Sequence, residues 1–213
     1  MNKMKVLAIL LAAGSSTRMG ENKLALPFNQ STIGASTLKT ALASKVDHVL
    51  VVTKNQDNLE WLREDEDVLH AQEKWSKIKC KDASEGQAHS LLAGIKAAEA
   101  FDADGVVIVL ADQPLVKTRM INRLIEIFQL TRAENQEILF VASRFKEKEQ
   151  PPILCARSMF PRLKRLTGDT GARQIIRQLP KNLGKTVDYD DRRGFYDIDT
   201  KEDYQWVMKM MES

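Results

Sequence analysis

Short apolar runs rich in Val, Ile and Leu alternate with amphipathic stretches along nearly the whole chain. The runs at 6–11, 48–53, 77–81 and 106–110 have strand length rather than helix length. Between them, residues 35–43 place Leu38, Ala41 and Leu42 on one helical face. Residues 86–100 do the same with Ala88, Leu91, Leu92, Ile95 and Ala98. A strand that is apolar on both faces must be covered on both. The pattern therefore predicts an α/β fold, a mainly parallel sheet with helices on either side. With 213 residues and no repeat or linker, one domain over 1–213 is expected.

Finer features follow the same logic. Residues 55–62 suggest a short helix. Thr118 is placed to cap a helix whose apolar face carries Ile121, Leu124, Ile125 and Phe128. Strands are expected at 138–142 and 153–156, then short helices at 159–166 and 170–179. A last helix carries Tyr204, Val207, Met208 and Met211, with Thr200 and Asp203 forming a capping box. The acidic stretch 63–67 reads as a solvated loop.

Composition excludes several classes. A net charge of +3 with no basic block gives no nucleic-acid tail. The two cysteines, Cys80 and Cys155, form no Cys-x-x-Cys pair and fit a reducing cytoplasm. The three histidines are scattered, which argues against a histidine metal cluster. Lys3 and Lys5 before the run 6–13 resemble a short secretory signal, but a Val/Leu/Ile run ending in Gly14 suits a buried opening strand better. No run reaches the roughly 18 apolar residues of a membrane span.

Ligands of such sheets bind beyond the carboxyl ends of the strands, so the loops after 11, 53, 81 and 110 are the ones to inspect. The first reads LAAGSSTRMGENK from Leu11 to Lys23. Ala12, Ala13 and Gly14 let the backbone approach a ligand, and successive N–H groups there can cradle an anion. Ser15 adds a hydroxyl; Arg18 and Lys23 add positive charge for phosphate oxygens. The spacing is neither a Walker A loop nor a dinucleotide fingerprint. A plain strand-to-helix turn with surface basic residues is the competing interpretation.

Asp112 follows the strand at 106–110 in a Pro turn, where a carboxylate suits a hard cation such as Mg²⁺. A turn-capping role is the alternative. Asp197 and Asp199, two apart, face one side if the chain is extended there. In DASEGQAHS, at 82–90, Gly86 permits close approach and Ser90 can hydrogen-bond a base or ribose; a simple helix start explains the segment equally well.

The pattern LAAG-x-S-x-R-M-G-x-x-K resembles the signature of the MobA/MocA-like nucleotidyltransferases, in particular the molybdenum cofactor cytidylyltransferases. The likeness continues through EGQAHSL, ADQPLV, TGDTGAR and DIDTKEDY. It implies a nucleotide-diphospho-sugar-transferase type α/β/α sandwich. It also implies transfer of CMP from CTP to the molybdenum-molybdopterin cofactor with release of pyrophosphate. Asp112 would hold Mg²⁺ together with Asp199, with Asp197 in reserve. Arg18 and Lys23 would stabilise charge on the phosphates, and the 82–90 loop would complete the nucleotide pocket. LAAG rather than LAGG favours CTP over GTP, an inference that rests on Ala13. Gly168, Asp169 and Arg173 would meet the anionic acceptor, although a capping turn with a surface Arg remains open. Gln87 and His89 replace the family's usual small residues, and 149–152 lacks its usual Gly-His-Pro. Relatives mature xanthine dehydrogenase-type molybdoenzymes in purine breakdown, so transient contact with such an enzyme is expected, with neither nucleic acid nor membrane as partner. A sugar- or alditol-phosphate nucleotidyltransferase and a non-catalytic cofactor carrier remain alternatives.

Overall fold

The computed structural model describes residues 3–63 and 65–212. The chain opens with strand β1 (Val6–Leu11), every residue of which is buried. A two-residue hairpin follows, β2 (Pro27–Phe28) and β3 (Ser31–Thr32). Its turn residues Asn29 and Gln30 both have positive φ, as a type I′ turn requires. Next come α1 (Ile33–Leu42), β4 (His48–Lys54), α2 (Glu66–His70), β5 (Trp75–Cys80), α3 (Gln87–Ala100) and β6 (Gly105–Leu110). The second half holds α4 (Thr118–Glu134), β7 (Phe140–Phe145), β8 (Lys148–Ala156), α5 (Phe160–Leu163), α6 (Ala172–Ile176), β9 (Gly184–Asp188) and α7 (Lys201–Glu212).

Seven strands form one sheet in the order β5-β4-β1-β6-β8-β7-β9. β5, β4, β1 and β6 pair in parallel, as do β7 and β9, while β8 runs antiparallel to both its neighbours. Alternation along β1 explains why both faces must be covered. Val6, Ala8 and Leu10 join a core with residues of α1, α4 and α7; Leu7, Ile9 and Leu11 join another with residues of α3, α5 and α6. The result is a three-layer α/β/α fold with a mixed, mostly parallel sheet. Each fully buried Leu or Ile contributes roughly 1.5–3 kcal/mol by leaving water. The run that resembled a signal is thus a fully buried interior strand, between β4 and β6. Among the described residues, no helix is long and apolar enough to cross a membrane.

Several local expectations need correction. Residues 63–67 are not simply a solvated loop. Asp65 is buried, caps α2 through the Val68 N–H, and accepts from Ser31 Oγ and Lys39 Nζ; Glu64 lies outside the described residues. Thr118 does not cap α4 but begins it, sending its hydroxyl to the Thr40 carbonyl. The helix expected at 55–62 shrinks to a 3-10 turn at Glu60–Leu62, entered through Leu59 in the left-handed region. The helices expected at 159–166 and 170–179 shorten to α5 and α6. β8 begins at Lys148, well before the apolar run that marked it. Its register against β7 shifts between Ala142 and Ser143, and the two prolines, which cannot donate to a ladder, fall in that irregularity. The capping box at α7 is present: Thr200 N–H donates to Asp203 and Asp203 N–H to Thr200 Oγ1.

Candidate active site

From β1 the chain crosses to β4 on one side; from β5 it returns to β6 on the other. The crevice this reversal leaves lies beyond Leu11 and Leu110, which are paired in register. Ala111 N–H donates to Leu11 O at 3.1 Å and Ala12 N–H to Val52 O at 2.8 Å, so both loops leave the sheet from fixed points.

The loop after β1 is folded back on itself. The Ser16 carbonyl accepts from Met19 N–H and Gly20 N–H, and Met19 is buried in the core as an anchor. Asn22 then caps a 3-10 turn, Lys23–Ala25, by accepting from Leu24 N–H. This return path aims Lys23 inward. Its ammonium is buried and donates to Asp112 Oδ2 at 2.6 Å and to Asp199 Oδ1 at 2.8 Å. Arg18, largely exposed, pairs with Asp199 Oδ2 at 2.8 Å. A Cβ added to Gly14 would meet nothing within 4 Å, so the protein itself leaves open space there.

Asp199 is delivered by the irregular segment that leads into α7. Ile198 is fully buried in the core, and its N–H donates to Asp112 O at 3.0 Å. Asp197 and Asp199 therefore both point to the site side, as their spacing suggested, but they do different things. Asp199 holds Lys23 and Arg18, whereas Asp197 accepts from Gln113 Nε2 at 2.7 Å. Partial burial works against the Asp199 charge, yet Lys23 and Arg18 outweigh it and hold its pKa below the usual range. Although the Asp197 residue is exposed, desolvation of its carboxyl group against Gln113, with the charge of Asp112, pushes it up to about 6. For Lys23, burial opposes the charge and the two carboxylates overcome it, so its pKa is raised.

A cleft of about 900 Å³ opens over these groups. Its walls include Leu11, Ala12, Ala13, Gly14 and Ser15, with Arg18, Lys23, Gly86, Ser90, Asp112 and Asp199. All the residues expected at the nucleotide thus meet in one place. Lys54, Asn55, Gln56, Lys81 and Ser84 stand in the same wall. They lie in or beside the loops singled out after 53 and 81, although the sequence named none of these side chains individually. An adjoining cavity of about 270 Å³ shares Leu11, Asp112, Asp169 and Asp199 and also holds Arg173. Gln113, Gln150 and Gln174 line it too, and nothing in their separate positions along the chain announced that.

The segment expected to meet the acceptor also has a structural task. Gly168 lines neither cavity; its carbonyl accepts from Ala88 N–H at 3.0 Å. Asp169, which lines both cavities, accepts from Gln87 N–H at 3.3 Å, satisfying the start of α3. Gly86 has φ +121°, and a Cβ there would meet the Gly168 carbonyl carbon at 2.4 Å. Glycine at 86 is needed for this close crossing.

Among the described residues, no group of three or more His, Cys, Asp or Glu side chains is arranged to hold a metal ion. Asp112 and Asp199 nevertheless converge on one cation, the Lys23 ammonium. Two carboxylates beside an open cleft fit a hard divalent cation such as Mg²⁺, which keeps most of its shell for waters and phosphate oxygens.

The family pattern described as a MobA-like NTP transferase domain matches residues 8–183. The purine catabolism protein PucB of Bacillus subtilis (strain 168) is 39% identical over 207 residues, covering 97% of each chain. Rv0371c of Mycobacterium tuberculosis superposes with a TM-score of 0.72 at 22% identity, over 99% of this chain and 100% of that one. Its complex with manganese gives 0.69 at 20% identity, over 97% and 99%. A nucleotidyl transferase from Methanothermobacter thermautotroptrophicus gives 0.72 at 19% identity, over 98% of both chains. At these identities the structural matches establish a common fold.

Proposed function

The chain belongs to the MobA-like NTP transferase domain family, and on that premise we propose that it transfers CMP from CTP to the molybdenum-molybdopterin cofactor, releasing pyrophosphate. The single observation that carries the assignment of the site is the convergence of Lys23, Asp112 and Asp199 at the floor of the larger cleft. In this proposal the whole chain acts as one nucleotidyltransferase domain.

The triphosphate lies against the 12–15 backbone, with Arg18 and Lys23 supplying charge to its oxygens. Gly86 and Ser90 face the nucleoside. Asp112 and Asp199 would hold Mg²⁺, and manganese in the fold relative Rv0371c supports a divalent ion here. Bound there, the ion would supply charge neutralisation to the phosphates. The phosphorylated acceptor enters by the smaller cavity, past Arg173 and the 168–169 turn. Because the two cavities share Asp112 and Asp199, the acceptor phosphate and the nucleotide α-phosphate meet between them.

The protein needs no general base for this reaction. A phosphate monoester has a second pKa of about 6 and is already largely dianionic at neutral pH. An acceptor phosphate oxygen forms the new bond to the α-phosphorus, and the bond from that phosphorus to the β-bridging oxygen breaks in line. The electron pair leaves with pyrophosphate. Lys23 and Arg18 offset the charge that develops, a contribution of about 3 kcal/mol for a well-aligned donor.

The likeness to PucB supports a place in purine catabolism. There the product would mature a xanthine dehydrogenase-type molybdoenzyme through transient contact, in the cytoplasm, with neither nucleic acid nor membrane involved. A nucleotide panel with purified molybdenum cofactor and Mg²⁺ tests the assignment. Cofactor-dependent pyrophosphate release fastest with CTP is expected. Preference for GTP would remove the inference drawn from Ala13. Turnover of sugar phosphates but not the cofactor would favour a different acceptor class, and cofactor binding without turnover would favour a carrier.

A further inference from the structure

Gln113 sits in the turn after β6 and is 2% exposed. Its backbone is fixed on both sides: its N–H donates to Leu110 O at 3.2 Å, and its carbonyl accepts from Val116 N–H at 3.2 Å. The side chain is oriented by one neighbour. Its Nε2 donates to Asp197 Oδ1 at 2.7 Å, and Asp197 stands where it does because Ile198 is locked into the core and hydrogen-bonded to the Asp112 carbonyl. A carboxylate accepts and does not donate, so the amide must turn its nitrogen to Asp197 and its oxygen away. That oxygen, Oε1, is buried and finds no donor among the described residues. Buried amide oxygens are normally hydrogen-bonded, so a lone one asks for a partner.

The place of this side chain is selective. Gln113 and Asp197 both line the smaller cavity, and neither lines the larger cleft. We propose that Gln113, oriented by Asp197, recognises a hydrogen-bond donor, a ring N–H, on the phosphorylated acceptor. This inference rests on the assignment of the smaller cavity to the acceptor. Gln113 is the specificity residue, and Asp197 is a positioning residue that sets which face of the amide is offered. An acceptor with no such donor would leave the oxygen unpaired and bind less well.

The test compares two monoesters, molybdopterin and propyl phosphate, which has no donor beyond its phosphate. KM and kcat for each come from pyrophosphate release with CTP and Mg²⁺, and direct titration gives the CTP affinity. Wild-type protein should favour molybdopterin. Gln113→Met, similar in length but without the amide, should raise the molybdopterin KM about tenfold, as loss of one hydrogen bond does. It should leave the propyl phosphate KM and the CTP affinity as they were, the latter also showing that the variant folds. Asp197→Asn, which can donate as well as accept and so lets the amide turn, should raise the molybdopterin KM several-fold without altering affinity for Mn²⁺. Wild-type discrimination that persists in both variants overturns the inference alone. Wild-type protein that treats the two monoesters alike overturns it together with the acceptor assignment.

Discussion

Lys23 Nζ lies 2.6 Å from Asp112 Oδ2, although the residues stand 89 positions apart in the chain. The contact joins the loop after β1 to the loop after β6 across the point where the strand order reverses. In the proposed function it sets a fixed positive charge against the triphosphate. Lys23→Met should therefore lower kcat about 10²-fold while the protein still folds. Steady-state pyrophosphate release checks this, and a kcat within a factor of two of wild type would show that Lys23 stands away from the reacting phosphates.

The two acids of 197–199 separate by partner. Asp199 shares Lys23 with Asp112, and Asp197 is committed to Gln113. Asp112→Asn and Asp199→Asn should each weaken Mn²⁺ binding at least tenfold in the presence of CTP, since an amide replaces a charged oxygen ligand. Asp197→Asn should leave it nearly unchanged. Electron paramagnetic resonance of free Mn²⁺ reads all three, and equal losses at 197 and 199 would reassign the ligand pair.

Two glycines should respond oppositely. Gly14 has open space around a notional Cβ, so Gly14→Val should keep its melting temperature and raise the KM for nucleotide. Gly86→Ala forces a methyl group into the Gly168 carbonyl at a positive φ, so it should lower stability by about 1–3 kcal/mol. It should also weaken both substrates, because Asp169, next to the displaced Gly168, lines both cavities. Unchanged melting and unchanged KM values in Gly86→Ala would mean that this crossing is not rigid.

Two acids, Asp65 buried and Asp197 exposed, should give pH dependences of opposite sign. Burial works against the Asp65 charge, but Ser31, Lys39 and the Val68 N–H outweigh it and hold its pKa below 3.8. Its stabilisation is therefore present above about pH 4 and is lost as pH falls through the folded value. Asp65→Asn should melt lower than wild type at pH 6, with the gap closing on acidification. Asp197 is raised to about 6 by desolvation of its carboxyl group and by the charge of Asp112. Its contribution is fully present below pH 4 and is lost as pH rises through 6. In metal-free protein, Asp197→Asn should gain stability relative to wild type as pH rises from 4 to about 7. Parallel pH profiles for the two variants would contradict both assignments.

What the residues announced in advance was what lies close in sequence. β1 follows from one apolar run, and the loop after it from small residues followed by Arg18 and Lys23. Asp112 follows from its position after β6. The acidic cap Asp65 was not visible, because its partners Ser31 and Lys39 come from a hairpin and a helix remote in the chain. The start of β8 was hidden because the polar stretch from Lys148 and the two prolines carry no strand pattern, and its pairing with β7 supplies the order instead. β9 was missed for a related reason: its residues are half-buried or exposed, and it is held beside β7 at the sheet's edge. Gln113 reads as one more residue of a Pro turn until the 197–199 segment is packed beside it.

The most direct test follows the α-phosphorus. CTP labelled at that position is incubated with the protein, Mg²⁺ and purified molybdenum cofactor, and the products are separated. Label is predicted to enter a molybdopterin cytosine dinucleotide in equal amount to the pyrophosphate released, and to stop doing so in Asp112→Asn. Label that stays in CTP, or appears only as free CMP, would contradict nucleotidyl transfer to this acceptor.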